Sequence, residues 1–303
     1  MISKIILNSR FSTNFALSLG RSLPKGMGYF VADSLSAWFA SHSQLAIVKA
    51  VQANQWVVHH GRLTADELKR LVHTVFHSTG RCLFDFYHYL DRSEEIRRLV
   101  QFSNRLAPVL QRCLRQEGPT VIVTPHISNF DLAGRALALE GLNFQVLSYP
   151  QPSMGYRMQN KLRSFMGLEI TPMSMSSLQQ ARQRLQNGGT VITGLDRPMA
   201  DSRYQVEFFG RKAALPVSYI RLALKVNAPV VVVACHTLPD GTYILDSSDP
   251  IPMQPDPDPT VEILQNAQNV LQQAEHFVRL SPEQWSMYYP VWPEALNEVP
   301  KNV

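Results

Sequence analysis

The stretch Thr120-Val121-Ile122-Val123-Thr124-Pro125-His126-Ile127-Ser128-Asn129-Phe130-Asp131 passes from one hydrophobic period to another. Val121, Ile122 and Val123 form a short continuous apolar run, as a buried strand does, and it ends at the histidine. From about Asp131 the apolar residues recur at helical spacing, through Leu132, Ala133, Ala136 and Leu137. A histidine where a strand gives way to a helix can meet a substrate, and an acid one turn on can hold its ring. That is the layout of a general base with an orienting partner. Ser128 and Asp131 are equally spaced as a capping box, in which the acid only satisfies amide hydrogens at a helix start.

Outward from this stretch, short apolar strands alternate with helical segments from residue 119 to about 250. Strands are expected at 120–124, 144–149, 169–172, 190–195, 204–209, 229–236 and 242–246. Helices are expected at about 129–140, 156–166, 176–187 and 216–226. Such alternation predicts an α/β fold: a mixed, largely parallel central sheet flanked by helices. Before it, residues 27–116 read as almost wholly helical. Thr64-Ala65-Asp66-Glu67 makes a capping box with Leu68, Leu71, Val72, Val75 and Phe76 following at helical spacing, and Asp91-Arg92-Ser93 opens another helix. Gly118-Pro119 then punctuates the chain. Five prolines between Pro250 and Pro259 make a stiff linker, and a last amphipathic helix carries Leu264, Ala267, Leu271, Ala274 and Phe277 on one face. The expected organisation is a surface segment over 1–41, a helical part over 42–118, an α/β core over 119–292 forming one compact unit with 42–118, and a tail over 293–303.

The 303 residues are 45% hydrophobic and 17% charged, which suits a sizeable core under a weakly charged surface. Cys82, Cys113 and Cys235 stand apart without metal-ligand spacing, an odd and scattered set that fits a reducing compartment rather than a disulfide framework. The net charge is +5, and between Arg157 and Lys212 nine Lys/Arg face four Asp/Glu. This basic zone can serve phosphates, anionic lipid headgroups or an acidic carrier protein. Interleaved aromatics, helix-turn-helix and zinc patterns are missing, so nucleic acid is not an expected partner. The first acid of the chain is Asp33, preceded by Lys4, Arg10, Arg21 and Lys25 with apolar patches Ile5-Ile6-Leu7 and Phe15-Ala16-Leu17 between them. Phe30, Val31, Leu35, Trp38 and Phe39 continue the pattern at helical spacing. Residues 1–41 read as a basic amphipathic segment on a membrane surface; an ordinary helix packed on the body, or a transit peptide, also fits the composition.

Further candidates follow other strands, at the carboxyl ends where ligands collect in such sheets. Asp196 and Arg197 follow 190–195. Glu207 sits among apolar neighbours in Gln205-Val206-Glu207-Phe208-Phe209-Gly210, either as a carboxylate facing an imidazole or as a solvent-facing strand position. Arg157 and Lys161 share a helix face that either presents two cations to a phosphate or is simply solvated. His73 and His77 have no evident third ligand, and no metal is expected. GxSxG, Walker A, GxGxxG and HExxH are all absent, so a bound hydroxyl attacking directly is favoured over a covalent acyl-enzyme.

Taken together, these segments resemble the lipid A biosynthesis (lauroyl/myristoyl) acyltransferase family, which includes phosphatidylinositol mannoside acyltransferases. The similar segments are His126 to Asp131 with Gly134, Asn160 with Arg163 and Gly167, Asp196-Arg197, Glu207 to Gly210 with Pro216, and Ser281-Pro282-Glu283-Gln284-Trp285. The resemblance implies a catalytic core that moves a fatty acyl group from acyl-CoA or acyl carrier protein, as co-substrate rather than resident cofactor, to a hydroxyl of a glycolipid or lipid A-like acceptor. His126 is then the base, oriented by Asp131 or Glu207. Arg163 and Arg197 hold phosphate or neutralise the oxyanion, and Asn129, Asn160, Asp196, Arg157 and Lys161 complete the substrate contacts. It also implies a peripheral protein on the cytoplasmic face of the inner (plasma) membrane. Acylation of a lysophospholipid or glycerolipid, or non-catalytic lipid binding on the same fold, are the alternatives. The sequence departs from the pattern of the mannoside-acylating branch at Pro198, where an acid is expected, and from many lipid A enzymes in carrying Asp131 rather than Glu.

Overall fold

The structure, a computed structural model, describes residues 10–152, 154–165, 167–199, 202–300 and 302–303. Ile5-Ile6-Leu7 of the expected surface segment lies outside them. The chain runs α1 (Arg10–Ser22), α2 (Lys25–Ser41), α3 (Ala46–Val58), α4 (Ala65–Tyr89), α5 (Ser93–Leu99), β1 (Val100–Phe102), α6 (Leu106–Leu114), β2 (Thr120–Thr124), α7 (Phe130–Leu139), β3 (Phe144–Ser148), α8 (Met154–Arg163), β4 (Leu168–Pro172), α9 (Met175–Gln186) and β5 (Thr190–Gly194). It continues through β6 (Val206–Phe208), β7 (Arg211–Ala213), α10 (Ser218–Val226), β8 (Val230–Thr237), β9 (Tyr243–Ser247) and α11 (Pro259–Leu280), and ends in two short 3-10 turns, Pro282–Gln284 and Pro293–Asn297.

Seven strands form the sheet in the order β1-β9-β8-β2-β5-β3-β4, parallel at every pairing except β8 with β9. Alternate side chains of its central strands enter two cores. Val121, Val123, Val191, Val230 and Val232 pack with α9, α10 and α11 on one face. Ile122, Ile192, Val231, Val233 and Cys235 pack with α4, α6 and α7 on the other. Burial on both faces explains why these strands read as unbroken apolar runs. From β2 the chain passes over the place of β5 to reach β3 and β4, returns through α9 to β5, then crosses to β8 on the far side of β2. The carboxyl ends of β2 and β5 therefore flank a topological switch point, where open α/β sheets bind ligands.

Two strand expectations change. Val100–Phe102, inside the stretch read as helical, pairs with β9 at the sheet edge; three residues are too few to show a period. The strand expected over 204–209 does not join the sheet. Residues Val206–Phe208 pair with β7 in an isolated antiparallel ribbon, turned at Phe209 and Gly210, both at positive φ. Phe208 and Phe209 bury fully beside Trp285 and Trp292, and Glu275 of α11 accepts the Phe209 amide at 2.6 Å.

Among the N-terminal helices, α2 lies close against α4. Its small residues Gly28, Ala32 and Ser36 are buried, and a Cβ on Gly80 of α4 would fall 2.3 Å from the Ser36 hydroxyl. Arg81 holds Asp33 through two bonds of 2.9 and 2.7 Å, and Tyr29 donates to Asp85 at 2.9 Å. The opposite face of α2 exposes Met27, Phe30, Leu35 and Trp38. Among the described residues no helix is long and apolar enough to cross a membrane.

Candidate active site

Parallel pairing decides which residues meet at the switch point. Thr124 is in register with Gly194, so His126 and Asp196, each two residues farther on, come side by side. His126 Nδ1 lies 2.5 Å from Asp196 Oδ1, and the His126 amide donates to Asp196 Oδ2 at 2.8 Å. Trp285 donates its indole N–H to the same Oδ2 at 2.7 Å. Asp196 is wholly buried, while 27% of the His126 side chain is exposed. Burial by itself would raise the Asp196 pKa. The charged form of His126 and the hydrogen bonds from the ring, the indole and the His126 amide outweigh it and hold the carboxyl below its ordinary range. An ionised Asp196 can only accept, so in the neutral form of the ring the proton sits on Nδ1 and the lone pair on Nε2. Gly194 leaves room for this ring: a Cβ there would come within 3.0 Å of Cε1.

The turn that carries His126 is clamped from the far end of the chain. Ser128 donates its amide to the Gln284 carbonyl and Ser286 donates its own to the His126 carbonyl, both at 2.8 Å. Ser128 sits at φ 51°, and its hydroxyl lies 2.6 Å from that of Thr237. Trp285, behind the dyad, packs against Phe208, Phe209 and Trp292 at centroid distances of 6.2, 6.3 and 6.4 Å. The Glu207-to-Gly210 segment thus serves the site through its phenylalanines.

The other expected residues divide. Asp131 does not hold the histidine; Arg163 occupies it, with Nη2 donating to Oδ2 at 2.8 Å and Nε 2.8 Å from Oδ1. Glu207 is exposed in the ribbon, in register with Lys212, and takes no part. The expectation that one of these two acids orients His126 is therefore corrected: the acid at the ring is Asp196, for which the resemblance implies a substrate contact. Strand alternation sends Glu207 outward between two buried neighbours, and the helix turn that spaces Asp131 from His126 aims it at α8. The capping box is displaced as well: Asn129 is the N-cap, accepting from Leu132 at 3.2 Å and donating to the Cys82 carbonyl at 2.9 Å. It is 3% exposed and does not line the cavity.

His126 opens on a cavity of about 160 Å³ between β5, β3, β4 and α7. Its mouth is polar, with Asp131, Asn160, Arg163 and Arg197, and its interior is apolar, with Phe144, Val146, Leu168, Ile170 and Ile192. Asn160 is buried and donates to the Ser148 hydroxyl at 3.2 Å, while its Oδ1 has no partner among the described residues. Arg197 lies between the rings of Tyr149 and Tyr289, 3.9 and 4.2 Å from their centroids, and donates to the Tyr289 hydroxyl at 3.0 Å. Among the described residues it has no carboxylate partner. Arg157 and Lys161 are exposed on α8 and do not line the cavity.

A histidine held by a buried carboxylate, on the wall of a largely apolar cavity that arginines also line, has the makings of an acyl-transfer site, and comparison with known proteins gives the lineage. The profile of the bacterial lipid A biosynthesis acyltransferases matches residues 7–293. The chain belongs to this family. It is similar to the phosphatidylinositol mannoside acyltransferase of Mycobacterium tuberculosis, 26% identical over 119 residues, and to that of Mycolicibacterium smegmatis, 27% identical over 125. The matched segments cover 38% and 40% of this chain and 38% and 41% of those proteins, about two-fifths of their length. Within this family member, Asp196 and Trp285 were the residues whose roles the sequence did not disclose. A faint signal exists: Thr120-Val121-Ile122 and Thr190-Val191-Ile192 repeat, and each is followed six residues after its threonine by a titratable group, His126 and Asp196.

Proposed function

We propose that the protein is an O-acyltransferase that moves a fatty acyl group from an acyl thioester, acyl-CoA or acyl carrier protein, to a hydroxyl of a glycolipid. The observation that carries this reading is the His126–Asp196 dyad, with the His126 side chain lining a largely apolar cavity. The family and the names of the relatives support the acyl transfer and the glycolipid acceptor.

In this reading the acyl chain lies in the cavity with its thioester carbonyl at the mouth. His126 Nε2 takes the proton of the acceptor hydroxyl as its oxygen attacks that carbonyl. The imidazolium so formed is stabilised by Asp196, which stays ionised. Collapse of the tetrahedral intermediate breaks the C–S bond, and His126 returns the proton to the leaving thiolate. Ester and thiol are the products, so protons and electrons balance without a further reagent. Arg197 is preset by its two tyrosines, and no carboxylate among the described residues neutralises it, so it is the cation for a phosphate at the mouth. Arg163 serves through Asp131, holding α8 and its Asn160 against α7.

The acceptor reaches this mouth from a lipid surface. Met27, Phe30, Leu35 and Trp38 make one exposed apolar stripe on α2, close to Lys25 and Arg21, and α1 packs beside α8 at the mouth. An anionic membrane face, on the cytoplasmic side of the inner membrane, fits this pairing of apolar and basic groups.

The test is mass spectrometry of the purified protein incubated with acyl thioesters and a membrane lipid extract, wild type beside His126→Ala. A lipid that gains an acyl mass with wild type only, the variant being slower by about 10²–10⁴, is the expected result. Equal transfer by His126→Ala removes the base from the mechanism.

A further inference from the structure

The cavity has a definite floor, and a single glycine forms part of it. Even-numbered residues of the three strands face α7 in rows set by the register. Phe144 pairs with Leu168 in the deepest row, Val146 lies between Ile192 and Ile170 in the next, and Ser148 stands at the mouth. Opposite them, α7 contributes Phe130, Asp131 and Gly134. One turn farther on, Leu137 and Ala138 are buried in the core and line no part of the cavity. The cavity therefore ends just beyond Gly134, where the glycine faces Leu168.

Neither backbone conformation nor packing among the described residues requires glycine at 134. It lies inside a ten-residue helix, where glycine is less stable than alanine, and its φ is not positive. Nor is there a close approach to protect. Among the described residues, a Cβ at Gly134 would meet only the Leu168 Cδ2, at 3.9 Å, an ordinary contact. By contrast, a Cβ at Gly28 would fall 2.0 Å from the Phe84 ring, and one at Gly20 would fall 2.5 Å from the Tyr87 Cβ. Those glycines are demanded by helix packing. At Gly134 the missing side chain leaves empty space in the cavity.

We infer that Gly134 sets the depth of the acyl pocket and so selects the length of the chain transferred. This rests on the acyl-transfer reading above and adds a limit to it. From Ser148 to Phe144 the pocket runs four strand residues, about 13 Å at ~3.3 Å each. An extended chain advances ~1.25 Å per C–C bond, taking a bond of ~1.5 Å and a near-tetrahedral angle. About ten carbons fit beyond the carbonyl, which points to acyl groups of about ten to twelve carbons. A methyl at residue 134 removes the last one or two positions, and a leucine removes several.

Two readouts test this on the full-length protein, and they separate its failure from that of the acyl-transfer reading. The first is transfer from thioesters of eight to sixteen carbons by wild type, Gly134→Ala and Gly134→Leu. The wild-type optimum is expected at about ten to twelve carbons. The ratio of octanoyl to dodecanoyl transfer should rise about tenfold or more in Gly134→Ala, and further in Gly134→Leu, because one methylene in an apolar pocket commonly discriminates by ~10–200-fold. The second is direct binding of free fatty acids of the same lengths by calorimetry, where the preferred length should shorten in the same order. Gly134→Ala should also melt about 1–3 °C higher than wild type, as an alanine tolerated in a helix does. An unchanged length preference in both assays overturns the inference, as does a lower melting temperature for Gly134→Ala, which would mean that packing requires the glycine. Shortened fatty-acid preference without any wild-type transfer upholds the pocket and overturns the transferase reading alone.

Discussion

Two aspartates lie close to His126 in the fold, one behind its ring and one on the cavity wall, and their surroundings give them different work. Asp196, at the end of β5, is sealed from solvent and receives three donors: the His126 ring, the His126 amide and the Trp285 indole. Asp131, on the first turn of α7, is 17% exposed and bound to the Arg163 guanidinium. Spacing along the chain favours Asp131 as the partner of His126, five residues away, yet helix geometry turns it toward α8. Strand register brings in Asp196, seventy residues farther along, as the acid that holds the His126 ring. Proximity in sequence and proximity across a parallel sheet are separate facts, and here the second sets the chemistry.

Breaking the Asp196 side of the comparison should have the largest effect. Asp196→Asn can donate to Nδ1 and so stabilise the tautomer with its proton on Nε2; kcat is expected to fall by about 10³–10⁴, as measured by steady-state transfer. The same variant checks the electrostatics. Because the Asp196 pKa is depressed on folding, its contacts add stability that is fully present above about pH 4 and is lost as pH falls through the lower folded value. Denaturant melts between pH 2 and 5 should show wild type losing this increment while Asp196→Asn does not.

Asp131→Asn should be felt in stability more than in catalysis. Leaving Arg163 without its anion costs about 1–3 kcal/mol in chemical denaturation, with kcat falling no more than about tenfold. A kcat loss equal to that of Asp196→Asn would erase the distinction between the two acids. Trp285→Phe keeps the aromatic packing and removes one donor from Asp196, so kcat should drop by about tenfold with KM unchanged. In an Asp196→Asn background the same change should cost much less, a coupling that a double-mutant cycle measures. Glu207→Gln, on the exposed face of the ribbon, should leave kcat and KM within about twofold of wild type; a large loss would restore Glu207 to the site.

Much of the architecture was legible in the chain. Unbroken apolar runs such as Val121-Ile122-Val123 and Val230 to Val233 announce strands covered on both faces, and the helical spacing of Leu68, Val72, Val75 and Phe76 announces α4. His126 was found because a titratable group at the end of a buried strand is conspicuous. The strand Val100–Phe102 was hidden because its partner, Tyr243–Leu245, lies far away in sequence and supplies the ladder that three residues cannot signal by themselves. The β6–β7 ribbon was misplaced because Val206-Glu207-Phe208 alternates as any half-buried strand does. Alternation does not say which sheet a strand joins.

From the sequence alone came most of the elements, the α/β class, His126 as a candidate and the family resemblance, since periodicity and local motifs are short-range properties carried by neighbouring residues. The register of β2 on β5, the clamp of Gln284 and Trp285 on the His126 turn and its aspartate, the diversion of Asp131 to Arg163 and the cavity wall at Gly134 belong to the tertiary structure. Each joins segments distant in the chain through packing and hydrogen bonds made only when the sheet assembles. Which acid serves the histidine, and how deep the pocket runs, are decided at that stage.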